Sequence, residues 1–260
     1  MVRGLEAFSE HFKDYKDCYV VIGGVACDSH FEGVGLPFRA TKDVDVVLVV
    51  EAIDAKFIQA FWEFIKDGEY EQKQVSEDGR RYYRFIKPRN EIYPMQLELF
   101  SRKPDLIPEI PGMTITPIPT DEELSSLSAI LMDEDYYRFT LVNSREINGA
   151  SIADDLALIC LKAKAYLDLS KRKEAGDVID SKNIAKHKND VFRLAAILRG
   201  GKSLEIPASI KSDLQEFVLL MEKEAPDVKA IFKAMGIAPV DAKELLQQLK
   251  DIFGLDLASD

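Results

Sequence analysis

Asp43 and Asp45 stand one residue apart at the head of the run Val44–Val50, whose unbroken β-branched and apolar character predicts a strand covered on both faces. Side chains alternate along a strand, so both carboxylates take one face while Val44, Val46 and Leu48 take the other. Two like charges held side by side repel, and burying them unpaired is costly. A divalent cation resolves that conflict: magnesium takes oxygen ligands and commonly shares one or two protein carboxylates with substrate phosphates. A third acid, Glu98, is alone in Gln96-Leu97-Glu98-Leu99-Phe100, and strand alternation turns it away from Leu97 and Leu99. Glu91 lies close by as a second candidate for that role. Upstream, the short apolar strand Cys18–Ile22 ends at Gly23-Gly24. Lacking Cβ atoms, this pair lets the backbone and the start of a following helix approach phosphate oxygens with free N–H groups.

Elements on either side must position these groups. Leu5–Tyr15 reads as a helix, and a second helix follows the glycine pair. The loop Gly33–Lys42, with Gly35 and Pro37, leads into the acidic strand, and Asp54–Ile65 is helical. Arg81–Ile86 and Met95–Phe100 have strand character around the turn Pro88-Arg89-Asn90. These strands and helices predict a mixed α/β sheet. Pro104–Pro119, with five prolines, reads as a surface connection, and Tyr137–Ile147 as one or two further strands before a turn at Asn148-Gly149. Beyond it, Ser151 and Asp154 suggest an N-cap, and Ile152, Leu156, Ile159, Ala163 and Tyr166 recur at helical spacing. Ile184–Leu198, Ser209–Lys223, Asp227–Met235 and Asp241–Phe253 are helical as well. The expected domains are therefore an α/β core over 1–149 and a mostly helical C-terminal domain over 150–260.

The 260 residues carry a formal charge of −11, with 47% hydrophobic residues and three cysteines in no C-x-x-C spacing. That composition predicts a globular protein with reduced thiols, which points to a cytoplasmic location. The longest apolar runs fall short of the roughly 20 residues a membrane-spanning helix needs, so no membrane association is expected. The negative balance argues against non-specific DNA binding, which requires a broad basic footprint. The segment from Lys162 to Lys202 departs from this trend, with eleven basic and five acidic residues. Such a segment is either a solvated helix face or a local phosphate site.

The glycine pair, the D-x-D on a strand and the third acid on a later strand, in that order and spacing, resemble the DNA polymerase β-like nucleotidyltransferase superfamily. Within it, the chain is similar to the AbiEii-type nucleotidyltransferase toxins of bacterial toxin–antitoxin and phage-defence systems. The narrower resemblance rests on Arg39-x-Thr41-x-Asp43-x-Asp45, on Leu161-Lys162-Ala163-Lys164-Ala165-Tyr166-Leu167, and on Lys186-His187-Lys188-Asn189-Asp190-Val191. It spans about residues 18–198. Gly23-Gly24-Val25 departs from the Gly-Ser of many superfamily members, so no serine hydroxyl stands there, and Lys186-His187 replaces the family's adjacent basic residue and aspartate.

The resemblance implies a nucleotidyltransferase core in which Asp43, Asp45 and Glu98 are catalytic and hold magnesium, with manganese as a substitute. Gly23, Gly24, Arg39, Thr41, Lys162, Lys186 and Asp190 would bind the nucleotide. The implied reaction moves a nucleoside monophosphate from an NTP to an acceptor such as a tRNA end or a protein hydroxyl, and an antitoxin would be the partner. Blander readings stand beside these roles. Arg39 and Thr41 can be ordinary loop residues, and Lys162 and Lys164 solvent-exposed lysines. Lys186 and Asp190 can form a helix-surface i,i+4 pair worth roughly 0.3–0.5 kcal/mol. Two other functions compete with the main one: a small-molecule nucleotidyltransferase of the antibiotic-modifying kind, and a nucleotide-binding interaction protein without transfer activity.

Overall fold

The apolar run Tyr19–Ile22 forms strand β1, buried along its whole length, and the chain turns at Gly23 directly into helix α2, Gly23–Gly33. The computed structural model describes residues 3–75, 82–103, 106–107, 116–117, 130–198 and 203–255. Before β1 lie α1 (Leu5–His11) and a 3-10 turn (Lys13–Cys18), together covering the stretch expected as one helix. The acidic run forms β2 (Asp43–Leu48), and α3 (Ala55–Asp67) follows, its first turn capped by the Asp54 carboxylate accepting from the Phe57 N–H at 2.9 Å. Next come β3 (Tyr70–Val75), β4 (Tyr82–Pro88), β5 (Gln96–Phe100) and the two-residue β6 (Thr116–Pro117). After α4 (Glu134–Val142), the hairpin β7 (Ser144–Ile147) and β8 (Ala150–Ala153) closes this part of the chain.

The strands make one mixed sheet of order β6-β3-β4-β5-β2-β1-β8-β7. β2 runs parallel to β5 and antiparallel to β1, while β5 is antiparallel to β4. The C-terminal ends of β1 and β4 therefore meet the N-terminal ends of β2 and β5 at one edge of the sheet. An aromatic cluster anchors the strands: Phe8, Phe12, Tyr19, Phe57 and Phe64 pack with ring centroids 4.7–6.1 Å apart. Trp62 packs edge-on against Phe61 and Phe85, and its burial gives it a packing role.

The remaining helices are α5 (Asp155–Glu174), α6 (Ser181–Ile197), α7 (Ala208–Lys223), α8 (Val228–Met235) and α9 (Ala242–Phe253). They bury Leu158, Phe192, Phe217, Phe232 and Leu249 among themselves. The α/β class with a helical C-terminal part agrees with the expectation from sequence. Among the described residues no helix is long and apolar enough to cross a membrane.

Several boundaries differ from those expected. The chain divides into two compact units, one of Met1–Glu32, Arg39–Asp121 and Thr140–Asp154, the other of Gly33–Phe38, Glu122–Phe139 and Asp155–Asp260. The division thus falls at Asp154/Asp155 rather than at Gly149, because the turn at Asn148-Gly149 leads into a strand. Ile152 pairs in parallel with Val21 of β1 and is fully buried, so Ser151 lies in a strand and caps no helix. His30 of α2 secures this hairpin: its Nε2 donates to the Ala153 carbonyl at 2.8 Å, leaving Nδ1 to accept from Arg145 at 3.2 Å. Tyr137–Val142, expected as strand, is helical, and the strand starts at Ser144. β3 escaped notice because Tyr-Glu-Gln-Lys-Gln-Val has no apolar alternation. Most of the proline-containing connection lies outside the described residues.

Candidate active site

Register assembles the site. Ile22 of β1, Asp45 of β2, Glu98 of β5 and Arg84 of β4 form one row across the sheet, and Asp43 pairs with Gln96 in the neighbouring row. Alternation then places Asp43, Asp45, Gln96, Glu98 and Arg84 on a single face. The opposite face carries Val44, Val46, Leu97 and Leu99, all at most 1% exposed, so burial of the aliphatic face fixes the direction of the acids.

The glycine pair sits directly against them. Gly23 has φ +73°, a left-handed conformation that opens the turn into α2, and a Cβ on it would lie 1.8 Å from Asp45 Oδ2. A Cβ on Gly24 would lie 2.4 Å from Thr41 Oγ1 and 3.5 Å from Arg39 Nη2. Asp45, Thr41 and Arg39 therefore gather over the first residues of an 11-residue helix, whose partially positive end favours an anion. All six residues taken from the glycine and Arg-x-Thr-x-Asp-x-Asp motifs, Asp43 included, gather at this end of the strands.

Glu98 is 4% exposed, and its Oε1 accepts from Arg84 Nε at 3.0 Å and from Gln96 Nε2 at 2.7 Å. Arg84 Nε also reaches the Tyr82 oxygen at 3.1 Å. Burial, reinforced by the neighbouring Glu98 carboxylate, pushes the Tyr82 phenol far above its ordinary range, which keeps it a hydroxyl. Among the described residues no three acidic, imidazole or thiol side chains converge as a metal cage. The Asp43–Asp45 pair is nevertheless the donor set that magnesium shares with substrate phosphates. Sequence reasoning passed over Arg84, Gln96 and Tyr82; the available signal was a lone arginine in the apolar strand paired with the lone glutamate.

Within the helical unit, Lys162 and Asp190 meet each other. Lys162 Nζ lies 3.0 Å from Asp190 Oδ2, with the two side chains 6% and 0% exposed, and Arg193 holds the other oxygen at 3.0 Å. The alternative of a solvent-exposed Lys162 is thus overturned: its ammonium neutralises a fully buried carboxylate. Lys164 pairs with Asp213 at 2.9 Å. Lys186 and His187 are both half-buried on α6, about one turn before Asp190.

A groove of about 410 Å³ adjoins the acids at the sheet edge, reaching Asp43 and Gln96 and bordered by Arg3, Lys42, Lys87 and Arg89. The motif search did not anticipate it, because its residues come from four separate stretches of sequence.

Fold and site together define an α/β protein in which the Asp45 carboxylate lies against a glycine turn with Asp43 on the same strand face, followed in sequence by a helical unit. The chain is similar to an antigenic nucleotidyltransferase-like protein from Paracoccidioides brasiliensis, with 17% identity, coverage of 93% of this chain and 94% of that one, and a TM-score of 0.45. No family model matches the sequence, and no curated protein does.

Two substitutions test this geometry. Gly23→Ala must place a methyl group on a left-handed residue against the Asp45 carboxylate, so urea unfolding should show a loss of about 1–2 kcal/mol or more; unchanged stability would mean that Asp45 does not sit there. Lys162→Met removes the lysine charge from the fully buried Asp190 carboxylate and should cost about 3 kcal/mol. A loss below about 0.5 kcal/mol would be the behaviour of an exposed pair and would refute the buried one.

Proposed function

We propose that this chain is a nucleotidyltransferase that moves a nucleoside monophosphate from an NTP to an acceptor hydroxyl. The observation that carries this reading is the contact of the Asp45 carboxylate with the Gly23 turn, with Asp43 and Glu98 on the same sheet face. Such an arrangement brings backbone N–H groups and paired carboxylates to one point, which suits a triphosphate bridged to acids. Magnesium, held by Asp43 and Asp45 with Glu98 in exchange for Arg84, would neutralise charge building on the phosphoryl oxygens; manganese would substitute for it.

In the proposed reaction the acceptor oxygen attacks the α-phosphorus in line, the bond to the β-phosphate oxygen breaks, and pyrophosphate leaves. Glu98 receives the proton of the acceptor hydroxyl, and Gln96 keeps its carboxylate on the reacting face. Gly23 and Gly24 admit the triphosphate to the start of α2, while Arg39 and Thr41 flank it. The Arg39-x-Thr41-x-Asp43-x-Asp45 motif supports the narrower reading of a toxin of the AbiEii type, cytoplasmic and countered by an antitoxin, with an RNA end or a protein hydroxyl as acceptor. The compact groove beside Asp43 favours a second reading, in which the acceptor is a small molecule.

The test is transfer of label from each α-³²P-labelled NTP, with magnesium, to cell RNA, cell protein and a metabolite extract. The proposal expects label in one of the three fractions, its loss on chelating the metal, and its loss in Asp43→Asn/Asp45→Asn. Glu98→Gln should abolish transfer while NTP binding persists. Label that survives the double substitution, or no label in any fraction, would reject nucleotidyl transfer.

A further inference from the structure

The groove beside Asp43 has features that the proposed reaction does not require. Four cationic residues line it, Arg3, Lys42, Lys87 and Arg89, against two acids, Asp43 and Glu91. This is a local reversal in a chain of net charge −11. Ile86, Pro88 and Met95 supply an apolar wall, with Met95 41% exposed.

The basic residues are held in place by specific backbone features. Lys87 has φ +57°, a conformation unusual for a residue with a side chain. Its N–H nonetheless donates to the Met95 carbonyl at 3.2 Å, which binds the end of β4 to the loop ahead of β5. Arg3 is brought to the groove by Gly4, with φ +85° and so close to Pro94 that a Cβ would lie 2.1 Å from the proline nitrogen. Tyr70 fixes the same loop by donating to the Pro94 carbonyl at 3.0 Å. Arg89 is steadied by Glu71 at 3.3 Å.

The glycine turn flanks the acidic pair on the β1 side, and this groove flanks it on the β5 and β4 side. A triphosphate entering over Gly23 and Gly24 would leave the opposite flank for the molecule that receives the nucleotide. We propose that the groove is the acceptor subsite and that the acceptor carries a phosphate, bound by Lys87 and Arg89 while its hydroxyl faces Asp43. This rests on the nucleotidyltransferase reading. A volume of about 410 Å³ is of the order that encloses one small ligand or one nucleotide unit. The phosphate therefore belongs either to a small phosphorylated molecule or to the end of a nucleic-acid strand.

Metal-free calorimetry with ribose 5-phosphate and with a uridine trinucleotide tests the subsite, and magnesium–ATP titration tests the nucleotide site separately. The subsite predicts that at least one phosphate probe binds the wild type. Lys87→Ala/Arg89→Ala should weaken that probe about tenfold or more while magnesium–ATP binds as before. Binding of ribose 5-phosphate would identify a small acceptor, and binding of the trinucleotide alone a strand end. Equal probe affinity in wild type and double variant, or no binding of either probe, would overturn the subsite even if ATP binds through Asp43 and Asp45. Probe binding lost in the double variant, with no ATP binding by any form, would keep an anion site and overturn the transferase reading on which the acceptor role rests.

Discussion

Everything at the candidate site depends on keeping two carboxylates on one face of β2 against a residue with no side chain. Electrostatics alone would drive Asp43 and Asp45 apart. They stay together because Val44, Val46 and Leu48 commit the opposite face to the interior, and a strand that buries one face has no freedom to turn the other. The antiparallel partner β1 ends at Ile22, in the row of Asp45, so the turn at Gly23 falls on the carboxylate. Only glycine fits there, since the turn needs a left-handed residue and the Asp45 oxygen occupies the space a Cβ would take. The aliphatic core, the register and Gly23 thus form a single constraint seen from three sides.

The two ion pairs built into the interior have different consequences. Arg84 and Glu98 lie in register on neighbouring strands, so they are held on the acidic face, and Gln96 supplies a second donor. That network satisfies a buried carboxylate in the row of Asp45. Lys162, Asp190 and Arg193 lie within the helical unit, and there the charges are consumed internally. Both lysine and aspartate were read as nucleotide-binding from motif resemblance. Their burial explains why these residue types occur at these positions without any ligand: a carboxylate at 0% exposure requires a cation in contact.

Strands β1, β2 and β5 and helix α3 could be read from sequence because each has a strong apolar pattern and a turn or cap beside it. The acidic face followed from spacing, since period-two alternation is enforced wherever one face is buried. Four features could not be read. β3 is polar at nearly every position and is strand only because β4 and β6 pair with it. β8 was taken for the start of a helix because Ile152 fits a helical stripe as well as a strand beside β1, and only the tertiary pairing decides. The Arg84–Glu98 contact and the basic groove join residues distant in sequence, which local periodicity does not encode.

In the proposed reaction Asp43 and Asp45 share a cation with a nucleotide lying over the glycine turn. The most direct measurement is a crystal structure with manganese and a non-hydrolysable NTP analogue, using anomalous scattering to place the metal. The account predicts a manganese peak between the Asp43 and Asp45 carboxylates, with the triphosphate against Gly23 and Gly24. Manganese at another site, or a triphosphate bound with neither aspartate touching the metal, would contradict it.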